Sequence, residues 1–321
     1  MVHCKVVGTD LIEWAERASQ HLRIADEISK RTEGRSARKQ NASLHPSFYT
    51  KQSIKHTILA AEAFRICGEY HWFDSAKAYG LAASLYAEAL HDPKEAANVF
   101  TESAIVMEKI DSNFANEYYR KAVSQHCDSA QYHSAALMQE RMASNFHKKG
   151  DYSVAIEEYQ RASKLYGAAK ITDDSDRTLE KAAYLLGTLG KCKESALSYQ
   201  SLAVRNTHEN IKKFNAPNMM LKGALLLLHH CLQSNQPNLD EVIEFVEHMY
   251  SLDCRFIESP QHDFIVDMIQ CVRFGELDAF ADCVYSFNLL SELDELVLTV
   301  LDGIKENIFT KIADKEGMVP T

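Results

Sequence analysis

An all-α fold of stacked helical hairpins is the architecture that this sequence predicts, and three observations predict it. Apolar and small residues recur every three or four positions, the helical period rather than the strand period. Only 12 Gly and 6 Pro occur in 321 residues that are 46% hydrophobic and 25% charged, which suits long helices joined by short turns. One pattern of large and small side chains also returns about every twenty residues, the mark of an array rather than an isolated core.

The repeating unit is plainest in Gly150 to Tyr166, GDYSVAIEEYQRASKLY. Tyr152, Ala155, Tyr159, Ala162 and Tyr166 fall in one helical stripe, where small residues admit a neighbouring helix and large ones fill the gaps. Gly150-Asp151 ahead of them is a turn and cap signal, as in one helix of a tetratricopeptide-like hairpin. Positions equivalent to Ala155 are Ser75, Ala96, Ala115, Ala135, Ser175 and Ser195. Four residues on come Tyr79, Phe100, Tyr119, Gln139, Tyr159, Leu179 and Tyr199, then three further on Ala82, Ser103, Ala122, Met142, Ala162, Ala182 and Leu202. Such a hairpin is about forty residues long, against roughly thirty-four in an ordinary tetratricopeptide repeat, and cannot bury both faces alone. The prediction is an all-α chain of roughly fourteen helices in total, with a right-handed tetratricopeptide-like solenoid over residues 1–237. A compact acidic helical bundle and tail would follow over 238–321.

In order along the chain, Asp10 to Lys30 reads as an amphipathic helix with Leu11, Trp14, Ala18, Leu22 and Ala25 on one side and Asp10 as its cap. Residues 31–49 have no stripe and read as a loop; Arg31, Arg35, Arg38 and Lys39 precede Phe48 and Tyr49, cations and aromatics suited to anionic headgroups and their interface. The next hairpin starts near Thr50, and Tyr70-His71-Trp72-Phe73 forms its aromatic turn. Further helices follow the twenty-residue register to the C-terminal part.

Charge is uneven. From Asn238 onward 18 acids face 5 Lys and Arg, a balance of minus 13 within a chain of minus 10, so residues 1–237 carry plus 3. That imbalance disfavours nucleic acid and suits two electrostatically different docking surfaces. Eight scattered cysteines with no CxxC pair read as reduced core thiols without a metal. No apolar run reaches eighteen residues, the N-terminus lacks a secretory signal, and HExxH, GxGxxG and P-loop patterns are missing. The expectation is a cytoplasmic protein with no enzymatic activity and no cofactor. His229-His230 reads as a packed pair, since adjacent residues point to different helix faces.

The run AAEAFRICGEYHWFDSAKAYGLAASLY, Ala60 to Tyr86, resembles the corresponding hairpin of the soluble NSF attachment proteins. These are the SNAP (alpha-SNAP or Sec17-like) adaptors that bring the N-ethylmaleimide-sensitive factor ATPase to SNARE bundles. HDPKEAANVFTESA, FANEYYRKAVSQH, AIEEYQRASKLYGAAKITDDSDRTLEKAA, KKFNAPNMMLKGALLLLHHC and LDELVLTVLDGIKENI resemble later family helices, in the family's order, over about residues 54–310.

The resemblance implies an adaptor in vesicle fusion and intracellular transport, including ER–Golgi transport. It would be monomeric alone and present in several copies around one SNARE four-helix bundle. Arg177, Lys181, Lys213 and Lys222 would grip the bundle, while Gln131 and Leu137 replace basic family positions. Arg35, Arg38, Lys39, Phe48 and Tyr49 would touch membrane lipids peripherally. Asp263, Asp267, Glu292, Asp294 and Glu295 would face an NSF-type AAA ATPase. Gln270, Arg273 and Phe274 stand where the family's acidic cluster would be, and the terminus DKEGMVPT lacks its acidic-leucine ending, leaving Met318 or Val319 as a substitute and implying weaker or partner-specific ATPase stimulation. A tetratricopeptide-like scaffold for another helical or peptide partner, without the ATPase, is the alternative.

Overall fold

The computed structural model describes residues 8–36, 46–207, 212–234 and 238–316, and among these it contains fourteen α-helices and no strand. Contacts divide the chain into two units, Met1–Ser175 and Asp176–Thr321.

The first unit holds α1 (Gly8–Ser36), α2 (Pro46–Ile66), α3 (Trp72–Glu88), α4 (Pro93–Glu108), α5 (Ser112–Asp128), α6 (Tyr132–Lys149), α7 (Tyr152–Ala168) and the start of α8 (Thr172–Thr188). From α1 to α7 each helix packs on the next. The small positions Ser75, Ala96, Ala115, Ala135 and Ala155 are all 0% exposed, and Tyr79, Phe100, Tyr119 and Tyr159 are buried beside them. Close approach at the small residues is thus what lets the rings fill the space between helices.

Two kinds of polar residue also serve this packing. Ser75 Oγ donates to the Ala61 carbonyl at 2.7 Å, Ser103 to Ala76 at 2.7 Å and Ser175 to Ser163 at 2.9 Å. Each hydroxyl reaches the backbone of another helix, so a buried polar atom is satisfied without enlarging the contact. Gln139, the polar exception among the large positions, donates to buried Glu158, whose other oxygen accepts from Arg161 Nη1 at 3.1 Å. The two donors offset the desolvation of that carboxylate.

The turns carry the repeat as clearly as the helices. Ala130, Gly150 and Lys170, twenty residues apart, have φ of 58°, 85° and 60°. At each, two backbone bonds close the helix end: Ala130 N–H to Cys127 O and Gln131 N–H to His126 O, Gly150 to His147 and Asp151 to Phe146, Lys170 to Gly167 and Ile171 to Tyr166. This is the Schellman-type closure, which requires a left-handed residue just past the helix. Gly150 therefore fulfils the turn signal, whereas Asp151 makes no side-chain cap bond. Side-chain caps form instead from Asp92 to Glu95 N at 3.2 Å and from Asp111 to Asn113 N at 2.7 Å.

Near the N-terminus the structure corrects two expectations. Asp10 lies inside α1, which begins at Gly8. The connector expected over 31–49 is shorter, because α1 runs to Ser36 and α2 starts at Pro46. Proline lacks an N–H that the first helical turn does not need, so Pro46 opens the helix rather than breaking the chain. The aromatic turn is a 3-10 segment, Glu69–His71, and Trp72 and Phe73 already belong to α3.

The second unit comprises the rest of α8, α9 (Cys192–Thr207), a 3-10 turn at Lys212–Phe214, α10 (Ala216–Leu232), α11 (Asp240–Leu252), α12 (Pro260–Phe274), α13 (Leu277–Leu290) and α14 (Glu295–Glu316). Ser195 Oγ donates to the Ala183 carbonyl at 2.6 Å, repeating the serine contact, and Gly190 at φ 74° repeats the turn. Helix α10 is apolar almost all round, and α9, α11, α12 and α14 all pack on it. A hydrophobic run of that kind must be central, since it has no face to give to water. Its neighbours share one core from Ala183 to Ile308, so packing divides the chain at Ser175 while the charge changes at Asn238.

His229 sits between α10 and α14: a Cβ on Gly303 would lie 2.6 Å from its Nε2, and its Nδ1 is 3.8 Å from Cys192 Sγ. Burial, with a smaller contribution from His230, lowers its pKa. Cys67, Cys192, Cys231 and Cys271 are buried, and burial pushes the Cys231 and Cys271 thiols up to about 11; Cys254 is exposed.

Candidate functional site

In the second unit, cations gather where α8, α9 and the Lys212–Phe214 turn meet. Arg177 and Lys181 are one helical turn apart on α8, the first exposed and the second half-buried. Beside them Asp176 is held from both sides, with Arg205 Nη1 3.1 Å from one carboxylate oxygen and Lys212 Nζ 2.8 Å from the other. Two cations thus share this one acid, and Asp173, Asp174 and Glu180 lie on the same helix. Neither Arg205 nor Lys212 was singled out from the sequence, because 29 and 36 residues separate them from Asp176 and no periodicity joins them.

Lys213 and Lys222 have different surroundings. Lys213 Nζ lies 5.4 Å from the centroid of the Phe214 ring, itself 77% exposed. Asp253, whose carboxylate accepts from Arg255 Nε at 2.8 Å and Nη2 at 2.7 Å, is held below the usual range by that pair, with Lys213 adding a smaller pull. Lys222 Nζ is 2.7 Å from Asp294 Oδ2, 3.7 Å from Glu180 Oε1 and 5.5 Å from the Tyr199 ring centroid. It borders a cleft of about 200 Å³ lined also by Asn218, Glu292 and Val297. Burial and then the acids Glu180 and Asp294 push the Tyr199 hydroxyl pKa up, so the phenol stays protonated.

The acids expected to face an ATPase also separate. Asp263, Asp267, Glu292 and Glu295 are exposed. Asp294 is engaged twice, pairing with Lys222 and capping α14 by accepting from Val297 N–H at 2.9 Å. Met318 and Val319 lie outside the described residues.

In the first unit Phe48 is 44% exposed and Tyr49 half-buried, their rings edge-on at 5.7 Å in the first turn of α2. Arg35 is in the last turn of α1, and its side chain, like Arg38 and Lys39, lies outside the described residues. Gln131 serves the interior: its Oε1 accepts from Nδ1 of buried His126 at 2.9 Å. Leu137 is exposed beside a groove of about 580 Å³ lined by Arg65, Tyr79, Glu102 and His126. No described helix is long and apolar enough to cross a membrane.

Comparison with known proteins places this architecture. The family described as "Soluble NSF attachment protein, SNAP" matches residues 35–309. A "Probable vesicular-fusion protein sec17 homolog" of Neurospora crassa is 23% identical over 252 residues, 78% of this chain and 83% of that protein. The like-named protein of Schizosaccharomyces pombe is 25% identical over 160 residues, 49% of this chain and 53% of its own length. The human "Alpha-soluble NSF attachment protein" is 20% identical over 250 residues, 78% of this chain and 81% of that protein. Because the family match runs through both units and nearly the whole described chain, this protein belongs to the soluble NSF attachment protein family.

Proposed function

We propose that this chain is a non-catalytic adaptor that binds SNARE complexes and recruits an NSF-type ATPase to disassemble them in vesicle fusion. The family match over residues 35–309 carries the reading. The cations around Asp176 supply a surface for an acidic helical bundle, a recognition of charge and shape that needs no reacting group. Arg177, Lys181 and Lys213, joined by Arg205 and Lys212, are the contacts proposed there, with Lys222 behind them. The acids Asp263, Asp267, Glu292 and Glu295 are the proposed ATPase-facing set. The segment from Arg35 to Tyr49 touches lipid peripherally from the cytoplasmic side, and several copies surround one bundle.

The test is disassembly of a purified SNARE complex by the ATPase with this protein as sole adaptor. A double variant, Arg177→Glu/Lys181→Glu, should lose bundle binding, and unchanged binding would reject the cationic face. Deletion from Asp314 reports on the C-terminus: activity lost assigns coupling to those residues, activity kept assigns it to the acidic helices. Absence of both disassembly and bundle binding would favour a scaffold for another helical partner.

A further inference from the structure

Helix α1 is held on α2 by a seam that is only partly apolar. Among the described side chains of α1, Ala18 and Ala25 alone are buried. Ala18 packs with Ala63 and Phe64 of α2, and Trp14 and Leu22 are partly buried beside them. Two alanines remove little apolar area from water, so polar contacts matter more here than elsewhere in the unit. Ser53 Oγ donates to the Ala25 carbonyl at 3.0 Å, and Ser29 Oγ lies 3.0 Å from Ser53 Oγ. Between these serines and Ala18, His21 Nδ1 of α1 lies 3.0 Å from His56 Nδ1 of α2. The two rings are stacked, with centroids 5.3 Å apart and 30° between their planes.

Two imidazoles at that distance can share a hydrogen bond only while one Nδ1 carries no proton. With both rings neutral, or with one proton added, one Nδ1–H donates to the lone pair of the other; with both charged, two N–H groups and two cations confront each other. The surroundings offer that second charge no compensation. One turn from His21 on α1 stands Arg17, engaged by Glu13 at 2.5 Å. On α2, Lys55 adjoins His56 and adds repulsion. Helix α3, whose Ser75 Oγ donates to the Ala61 carbonyl, brings the uncharged run Tyr79 to Ala83 to the level of His56. Burial, then His21, then Lys55 accordingly lower the His56 pKa from 6.5. A lowered value means that the contact is complete above 6.5 and is lost as pH falls through the folded value.

We propose that the His21–His56 pair is a latch that holds α1 on α2 at neutral pH and releases it in acid, once both rings are charged. Helix α1 ends at Ser36 and α2 begins at Pro46, so the latched helices hold both ends of the segment assigned above to lipid contact. Phe48 stands about 12 Å along α2 from His56. The inference rests on the lipid reading only for what the latch regulates, which is how firmly the base of that segment is anchored.

Trp14 of α1 and Trp72 of α3 are the two tryptophans of the chain, so Trp72→Phe leaves Trp14 as a fluorescent reporter of the seam. The full chain with that change is titrated between about pH 7.5 and 5. Trp14 emission should move to the red and its quenching by acrylamide should rise, while far-UV circular dichroism stays helical. His21→Asn/His56→Asn keeps a hydrogen-bonding pair that cannot take charge and should lose the transition. His56→Arg, charged throughout, should show the red-shifted emission already at neutral pH. If the double variant fails to fold, His21→Asn alone decides the question, because it can never place two charges in the pair. Emission independent of pH with both histidines present overturns the latch. A transition that persists in the asparagine variants also overturns it, by placing the titration elsewhere, as at His71, which stacks on Phe64 at 5.6 Å. Flotation with anionic vesicles keeps the two readings apart. Recovery that responds to acid with both histidines but not with the asparagines supports the regulation, and equal responses overturn it. Recovery unchanged by Phe48→Ser/Tyr49→Ser removes the lipid contact and leaves the Trp14 transition standing.

Discussion

Lys222 Nζ stands 2.7 Å from Asp294 Oδ2, joining a cation expected to grip an acidic bundle to an acid expected to face the ATPase. The Lys222 side chain is only 18% exposed, and Asp294 also caps α14. The pair therefore works first as a clasp between α10 and the start of α14. Lys222→Ala should lower the unfolding free energy by about 1–2 kcal/mol, a figure between exposed and buried pairs. Urea melts check it, and Lys222→Ala/Asp294→Asn should lose less than the two single changes added together. An unchanged midpoint in Lys222→Ala would reject the clasp. Any effect of Lys222 on SNARE binding must accordingly be read beside the melt.

Ala130 and Lys170 occupy left-handed turn positions, at φ 58° and 60°, where Gly150 and Gly190 stand at equivalent turns. A side chain in that conformation costs about 1 kcal/mol or somewhat more. Ala130→Gly should raise stability by about 0.5–1 kcal/mol, because relief of strain outweighs the added freedom of the unfolded chain. Gly150→Ala should lower it. Thermal melts that move the other way would refute the shared turn geometry.

His126 gives a pH dependence of defined sign. Burial lowers its pKa from 6.5, more than the hydrogen bond with Gln131 raises it. Nδ1 lies 2.9 Å from Gln131 Oε1 and Nε2 3.3 Å from Thr101 Oγ1, whose hydroxyl donates to the Ala97 carbonyl at 2.9 Å, so burial rather than these contacts is what favours the neutral ring. A folded pKa below the unfolded one means that the unfolded chain binds protons first as pH falls. This stability is complete above the unfolded value of 6.5 and drains away as pH drops through it toward the folded value. His56 and His229, lowered mainly by burial as well, add in the same direction. His126→Gln should flatten the fall in denaturation midpoint between neutral and mildly acid pH; an identical slope would exclude His126 as a source.

The first turn of α2 supplies a membrane test. Phe48→Ser/Tyr49→Ser should reduce recovery of the chain with floated liposomes containing anionic lipid. Equal recovery would sink the lipid contact.

Much of the fold is legible in the sequence because its rule is local. Burial of Ala96, Ala115, Ala135 and Ala155 follows from spacing alone, as does that of Tyr119, Tyr159 and Tyr199. The start of α2 is not legible because residues 46–49 carry no apolar stripe, although a proline is well suited to the first helical turn. Site chemistry is less legible: Arg205, Lys212 and Asp176 meet through the path of the chain, and the pairing of Lys222 with Asp294 spans elements with no common period. Gln131 likewise reads as a lost cation until His126 is placed against it.

The left-handed turn at 130, 150, 170 and 190 has one more consequence. Each helical step asks for a small residue at the contact, a bulky one beside it and a backbone that can reverse hand after the last turn. Alanine or serine meets the first demand, tyrosine, phenylalanine or a bonded glutamine the second, and glycine, alanine or lysine the third. Few positions are specified and each accepts several residues, so the architecture tolerates wide drift in wording. A chain only 20% identical to a relative across 250 residues can obey rules as sparse as these.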